Sequence, residues 1–106
     1  MNVGSYKCCD SKTLEFKQIE DLSSLIKLIG EPNRLRLLCL LRKKGHRVFE
    51  ILEHFEMSQS LVSHHLADLK ETGLVIDRKE GRQVFYSLTS KGLIVTNKLF
   101  SIKEEL

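Results

Sequence analysis

The sequence contains no tryptophan, a single proline and no low-complexity tract. Its longest uninterrupted apolar run spans only residues 37–41, whereas a membrane-spanning helix needs about 20 apolar residues. The opening residues MNVGSYKCCD lack the basic region and the apolar stretch of a secretory signal. We therefore expect a cytoplasmic protein with no membrane partner.

Cysteine is scarce as well, and the chain has only Cys8, Cys9 and Cys39. An odd number of cysteines in a cytoplasmic protein argues against a structural disulfide framework. The chain also lacks a C-x-x-C motif, a glycine-rich phosphate loop and a Cys–His–Asp set with a plausible pocket, which disfavours a thiol enzyme. We expect no catalytic activity, so the thiols are either inert and buried or they bind or react with something.

The composition is that of one soluble globular domain, with 42% hydrophobic and 29% charged residues. The formal net charge of +3 permits nucleic-acid binding without being diagnostic of it. The placement of the charge is more informative, because cations concentrate in residues 34–47 and again in residues 78–82.

Hydrophobic periodicity predicts a domain over residues 13–106, preceded by a loose arm, residues 1–12, that carries Cys8 and Cys9. The predicted elements are helices over residues 13–29, 33–43 and 48–55, a fourth helix between Ser58 and Gly73, strands over residues 74–76 and 84–88, and a final helix from Thr89 or Ser90 to about residue 104. This order predicts a mainly helical α+β fold, a winged helix-turn-helix of five helices with a two-stranded hairpin as the wing.

The fourth helix has the clearest boundaries. Ser58 is a good N-cap residue, while Gly73 followed by Leu74 is typical of a Schellman-type helix end. Only Glu56 and Met57 separate the third helix from that cap, which predicts a tight helix-turn-helix.

The outer face of this helix is small, polar and nearly free of charge. Val62, Leu66 and Leu69 fall on the core side. The other side carries Gln59, Ser60, Ser63, His64 and Ala67. Small side chains let a helix approach the floor of the DNA major groove, where Gln, Ser and His can bond base edges.

Phosphate contacts are predicted on both sides of that face. Ser58, Gln59 and Ser60 lie at the helix N-terminus, which favours phosphate. The flanking cations are Lys70, Arg78, Lys79 and Arg82. The same face could instead be the polar side of an ordinary domain, or it could bind protein. Double-stranded DNA is favoured because the N-cap and C-terminal end of the fourth helix, the tight turn before it and the basic hairpin after it all agree with a winged helix-turn-helix.

The adjacent histidines do not predict a shared metal site, because neighbouring side chains on a helix point about 100° apart. His64 belongs with the DNA-facing residues, whereas His65 lies near the core and is expected to be packed and hydrogen-bonded. His46 and His54 stand alone and are expected on the surface.

Four stretches together resemble the arsenic-repressor-like (ArsR/SmtB) family of transcriptional regulators. Residues 30–38, GEPNRLRLL, resemble the family's G-D-P-x-R-L-x-I-L opening. Residues 57–66, MSQSLVSHHL, look like its L-S-Q-S-x-V-S-H-H-L recognition segment, and residues 69–75 and 78–86 look like the join to the wing and the wing itself. The resemblance implies a homodimer joined through the first and last helices, and repression by operator binding that ends when an effector binds or oxidises the protein.

Two common sensor sites of this family are missing from the chain. The resemblance places a thiolate pair of the third helix at Arg47 and Phe49, neither of which is a ligand. Other members carry His and an acidic residue in the last helix, but residues 89–106 contain no His or Cys.

The three cysteines remain as candidate sensors. Soft thiolates select soft metals, and some arsenic-responsive members similarly pair adjacent cysteines of an N-terminal arm with a third cysteine. Cys8 and Cys9, alone or with Cys39 as a third ligand, would thus take trivalent arsenic, antimony or another soft metal ion as effector, with no cofactor required for DNA binding itself.

Two alternatives stay open for the thiols. Cys39 also resembles the second-helix cysteine of the family's persulfide-sensing branch, which implies a redox- or persulfide-responsive repressor that uses the same cysteines, with Cys8 or Cys9 in place of that branch's last-helix cysteine. It could equally be an inert apolar filler, in a regulator with no metal effector.

Overall fold

The computed structural model describes residues 14–106 of the chain. The elements run in the order α1 (Leu14–Ile29), α2 (Pro32–Lys43), β1 (His46–Arg47), α3 (Val48–His54), α4 (Gln59–Glu71), β2 (Val75–Glu80), β3 (Gln83–Leu88) and α5 (Ser90–Ile102), with a last 3₁₀ turn at Lys103–Glu105. The winged helix-turn-helix fold is confirmed. The predicted arm, with Cys8 and Cys9, lies outside the described residues.

The core forms where α2, α3 and α4 meet the start of the wing. Apolar residues at helical spacing place Leu37, Ile51 and Leu66 in it without exposure to solvent. Leu74 and Val75, at the entry to β2, close it from the side of the sheet. Burial of these side chains stabilises the domain and fixes the positions of the three helices relative to one another.

Local signals set both ends of α4, as predicted. The Ser58 hydroxyl accepts a hydrogen bond from the Leu61 N–H at 3.1 Å. At the other end, the N–H groups of Gly73 and Leu74 donate to the carbonyls of Lys70 and Leu69. Gly73 has a φ of 79°, a conformation that suits glycine and completes the Schellman end.

The sheet has three antiparallel strands in the order β1-β3-β2. The two-residue β1 pairs His46 with Tyr86 and Arg47 with Phe85. No local sequence pattern predicts this strand, because two residues are too short to show a period. A Cβ at Gly45 would overlap the Phe85 ring, so a larger residue there would force that ring to move.

The expectation that His46 lies on the surface is wrong. Its pairing in β1 leaves it only 5% exposed, and Nδ1 lies 2.8 Å from the Lys44 carbonyl oxygen. Its ring also packs edge-on against that of His54, which is exposed as expected. Burial follows from the long-range pairing with β3, which no local pattern reports.

Two apolar helix faces lie uncovered in a single chain. On α1, Ile19, Leu22 and Ile26 are 48% to 55% exposed, although Ile29 is buried. On α5, the exposed apolar residues are Leu93, Ile94 and Ile102. No helix among residues 14–106 has the length and apolar character to cross a bilayer.

Candidate nucleic-acid interface

The α4 helix presents its predicted polar face to solvent. Gln59, Ser60, Ser63, His64 and Ala67 are all exposed. The opposite side is anchored, because Val62, Leu66 and Leu69 are fully buried. His65 is also buried, as predicted, but the expected hydrogen bond is wrong, because Nδ1 has no hydrogen-bond partner among the described residues and Nε2 lies 3.7 Å from Glu31 Oε2. The buried face therefore packs α4 against the core, while the side chains of its outer face are free to contact a ligand.

Leu61 was not among the predicted interface residues, yet it is 40% exposed beside them. It follows Ser60 at the start of α4, where an apolar side chain can contact a thymine methyl group. Its helical position, between the core and the polar face, could have identified it as a flank residue.

The start of α4 keeps backbone donors free. The Ser58 carbonyl accepts the first intrahelical bond, from the Val62 N–H, and its hydroxyl takes the Leu61 N–H. The N–H groups of Gln59 and Ser60 precede these bonds, so they remain available to an anion. Ser58 thus acts as a cap, and its hydroxyl is occupied in that role.

Lys70 and Asp77 connect α4 to the wing through an ion pair. Lys70, predicted as a phosphate contact, lies in the last turn of α4, and Asp77 lies in β2. The hydrogen bond from Lys70 lowers the pKa of Asp77, and the same bond raises the pKa of Lys70. Part of the Lys70 charge is therefore neutralised within the protein.

The wing cations divide into two kinds. Arg78 contacts Glu80 at 3.2 Å, and its guanidinium carbon lies 4.9 Å from the centre of the Phe85 ring. Lys79 and Arg82 are exposed and form no ion pair with any residue in the described part of the chain. Lys79 and Arg82 can therefore contact a phosphate without breaking an ion pair within the protein, whereas Arg78 cannot.

Arg47 braces the wing against α3, a role that sequence reasoning missed. Its guanidinium lies 3.3 Å from Glu80 Oε1 and 3.5 Å from Glu50 Oε1. The hydrogen bond from the Arg47 backbone N–H to the Glu50 side chain lowers the pKa of Glu50. The wing is thus tied to both helices of the helix-turn-helix.

Cys39 is half-buried on α2 and borders an apolar groove against α5. The groove has a volume of about 430 Å³ and is also lined by Leu35, Leu99 and Phe100. Within residues 14–106, no three His, Cys, Asp or Glu side chains are grouped so that they could hold a metal ion. Cys8 and Cys9, the other two candidate thiol ligands, lie outside the described residues.

Comparison with known proteins points in the same direction as this geometry. The family model described as "Bacterial regulatory protein, arsR family" matches residues 31–77. The arsenical resistance operon repressor of Staphylococcus xylosus is 35% identical over 83 residues, covering 78% of this chain and 80% of that protein. The transcriptional activator HlyU of Vibrio cholerae is 44% identical over 66 residues, or 62% of this chain and 61% of that protein.

A solved structure extends the similarity to the fold. The transcriptional repressor BigR from Xylella fastidiosa superposes with a TM-score of 0.71 at 32% identity. The match covers 81% of this chain and 86% of that one. Similarity therefore reaches beyond the helix-turn-helix to most of the domain.

Proposed function

This chain belongs to the arsR family of bacterial regulatory proteins, and we propose that it is a homodimeric repressor that binds operator DNA through α4 and the wing and is released by an effector acting on thiols. The observation that carries the proposal is the outer face of α4, which is exposed, small and polar, and is backed by fully buried residues. Such a face suits insertion into the major groove.

Contacts to the DNA backbone would position that face. The free N–H groups of Gln59 and Ser60 suit a phosphate at the start of α4. Lys79 and Arg82 extend from the wing, where they would meet phosphates farther along the duplex. These contacts supply affinity and register, while Gln59, Ser60, Ser63 and His64 supply base recognition.

The uncovered faces of α1 and α5 support the homodimer. Apolar side chains that are half-exposed on two helices of a small domain are stabilised when a second copy covers them. A two-fold axis between such faces would place two copies of α4 on successive major grooves of one duplex. The interface through α1 and α5 is part of the proposal.

Trivalent arsenic, antimony or another soft metal ion is the proposed effector, with Cys8, Cys9 and Cys39 as its ligands. The arsenical resistance operon repressors among the relatives support this choice. A second candidate is an oxidant or polysulfide, which is supported by the thiol of Cys39 at the border of the α2–α5 groove.

Binding to a randomised duplex library tests the DNA-binding function directly. The purified protein should enrich a two-fold symmetric sequence, and its affinity should fall steeply as salt rises, because phosphate contacts release counterions. Failure to enrich any sequence, or binding that is insensitive to salt, would show that α4 serves another purpose, such as contact with protein.

A further inference from the structure

The two adjacent histidines of α4 each face a carboxylate. His64 Nε2 lies 3.6 Å from Asp68 Oδ2, and His65 Nε2 lies 3.7 Å from Glu31 Oε2. One arginine of α2 reaches both carboxylates. The Arg34 backbone N–H donates to Glu31 Oε2 at 2.9 Å, and its Nη2 donates to Asp68 Oδ2 at 2.9 Å.

Arg34 is itself firmly held. Its side chain is only 17% exposed, and its Nη1 donates to the Leu28 carbonyl at 3.0 Å. Leu28 lies in the last turn of α1, where backbone carbonyls lack intrahelical partners. One planar guanidinium therefore connects the C-terminal end of α1 to the last turn of α4. Asp68 is the point on α4 that this contact fixes.

The Asp68 carboxylate, which Arg34 holds in place, lies beside the exposed side chain of His64. The His64 side chain is 69% exposed on the outer face of α4, one helical turn before Asp68. A separation of 3.6 Å exceeds a direct hydrogen bond, so the influence of Asp68 is electrostatic. In a neutral imidazole only one nitrogen carries hydrogen, and a carboxylate oxygen beside Nε2 would favour that hydrogen on Nε2 and leave Nδ1 as an acceptor.

An acceptor at this position has a defined preference. In the major groove it pairs with the amino group of adenine or cytosine, whereas a donor pairs with guanine N7 or O6, adenine N7 or thymine O4. Resting on the proposed DNA-binding function, we infer that Arg34 and Asp68 are positioning residues that fix the orientation and the hydrogen-bonding state of His64, and so determine which base it reads.

The chain offers a matched control for the charge of Asp68. Glu71 lies on the same helix, is exposed, and forms no ion pair with a described residue. Glu71→Gln and Asp68→Asn each remove one negative charge near the DNA. Only the second removes the carboxylate beside His64.

Selection from a randomised duplex library, with the wild type and these variants, tests the inference. We expect Asp68→Asn to change the relative affinity for bases at one position of each half-site by about 2- to 10-fold, the range of a single hydrogen bond. Glu71→Gln should keep the wild-type preference. In a His64→Ala background, Asp68→Asn should change no preference, because its effect passes through His64.

Arg34→Lys keeps the test decisive if Asp68→Asn does not fold. Lysine retains the charge but cannot form the planar fork, so the same position of the site should lose discrimination. Two results would overturn this inference and leave the proposed function intact. One is an unchanged base preference in Asp68→Asn or Arg34→Lys. The other is an effect of Asp68→Asn that persists in the His64→Ala background. A wild-type protein that selects no sequence would overturn the proposed function, and this inference with it.

Discussion

Lys70 Nζ lies 2.9 Å from Asp77 Oδ1, and this contact joins the last turn of α4 to β2 of the wing. The chain between them reverses direction at Gly73, so the ion pair closes a short loop around the Schellman end. Helix α4 and the wing are therefore linked by a side-chain contact as well as by the backbone. The proposed mode of DNA binding uses α4 and the wing together, so this contact would hold them in the required relative position.

The pH dependence of stability should report this pair. A lowered pKa of Asp77 contributes stability above its ordinary value of 3.8, and that stability is lost as pH falls through the lowered pKa. The raised pKa of Lys70 contributes stability below its ordinary value of 10.5, and that contribution is lost as pH rises through the raised pKa. Asp77→Asn should therefore lower the melting temperature slightly at neutral pH, and the difference from wild type should vanish in strong acid.

Thermal unfolding between about pH 2 and pH 8 checks this prediction. Asp21→Asn is the control, because Asp21 lies 3.9 Å from Lys17 in an exposed pair on α1. Such pairs contribute little, so this variant should match wild type at every pH. A melting difference for Asp77→Asn that persists unchanged in strong acid would mean that the ion pair is not its cause.

The wing cations should differ in their effect on the salt dependence of DNA binding. Lys79→Ala and Arg82→Ala should each reduce the slope of log K against log salt by about 2 per bound dimer, since each removes one phosphate contact from each of the two wings. Arg78→Ala should reduce it less, because Arg78 is already occupied by Glu80 and Phe85. Titrations at several salt concentrations measure the slopes, and equal slopes for wild type and all three variants would place the wing away from the DNA.

A charge on the uncovered face of α1 should separate the dimer. Ile26→Glu places a carboxylate among half-exposed apolar side chains that a second copy would cover, and burying an unpaired charge is costly. Analytical ultracentrifugation should show a monomer. Ser24→Glu carries the same charge on the opposite side of α1 and should remain dimeric. A dimer that survives Ile26→Glu would exclude this part of α1 from the interface.

The cysteines should control release without affecting DNA binding. The double variant Cys8→Ser with Cys9→Ser should bind operator DNA as wild type does but should no longer be released by arsenite or an oxidant. Cys39→Ser, made separately, tests whether a third thiol takes part. Release assays with arsenite, antimonite, cadmium, zinc and a polysulfide identify the effector. Unchanged release of the double variant would exclude the arm as the sensor.

The sequence predicted those features that depend on neighbouring residues. The cap at Ser58, the end at Gly73 and the polar face of α4 all follow from helical spacing and local hydrogen bonds. Features that join distant segments were not predictable. Strand β1 exists only through its pairing with β3, and Arg34 meets Asp68 across 34 positions of the chain.

The exposed apolar face of α1 shows a second limit on what the sequence can predict. Its period predicts an amphipathic helix correctly, but the period does not say whether the apolar face meets the core of the same chain or a second copy. Ile29 is buried within the chain, while Ile26, less than one turn away, is not. The difference in burial between Ile29 and Ile26 arises because α2 packs against only the end of α1.

DNA binding by a protein with glutamates on the outer face of α4 tests the central proposal most directly. Ser63→Glu with His64→Glu places two negative charges where the helix would meet the groove, and like charges cost several kcal/mol at an interface. We expect operator affinity to fall by about 100-fold or more, with the dimer and the melting temperature unchanged and with Ser24→Glu binding as wild type does. Wild-type affinity in the double variant would contradict the assignment of α4 as the recognition helix.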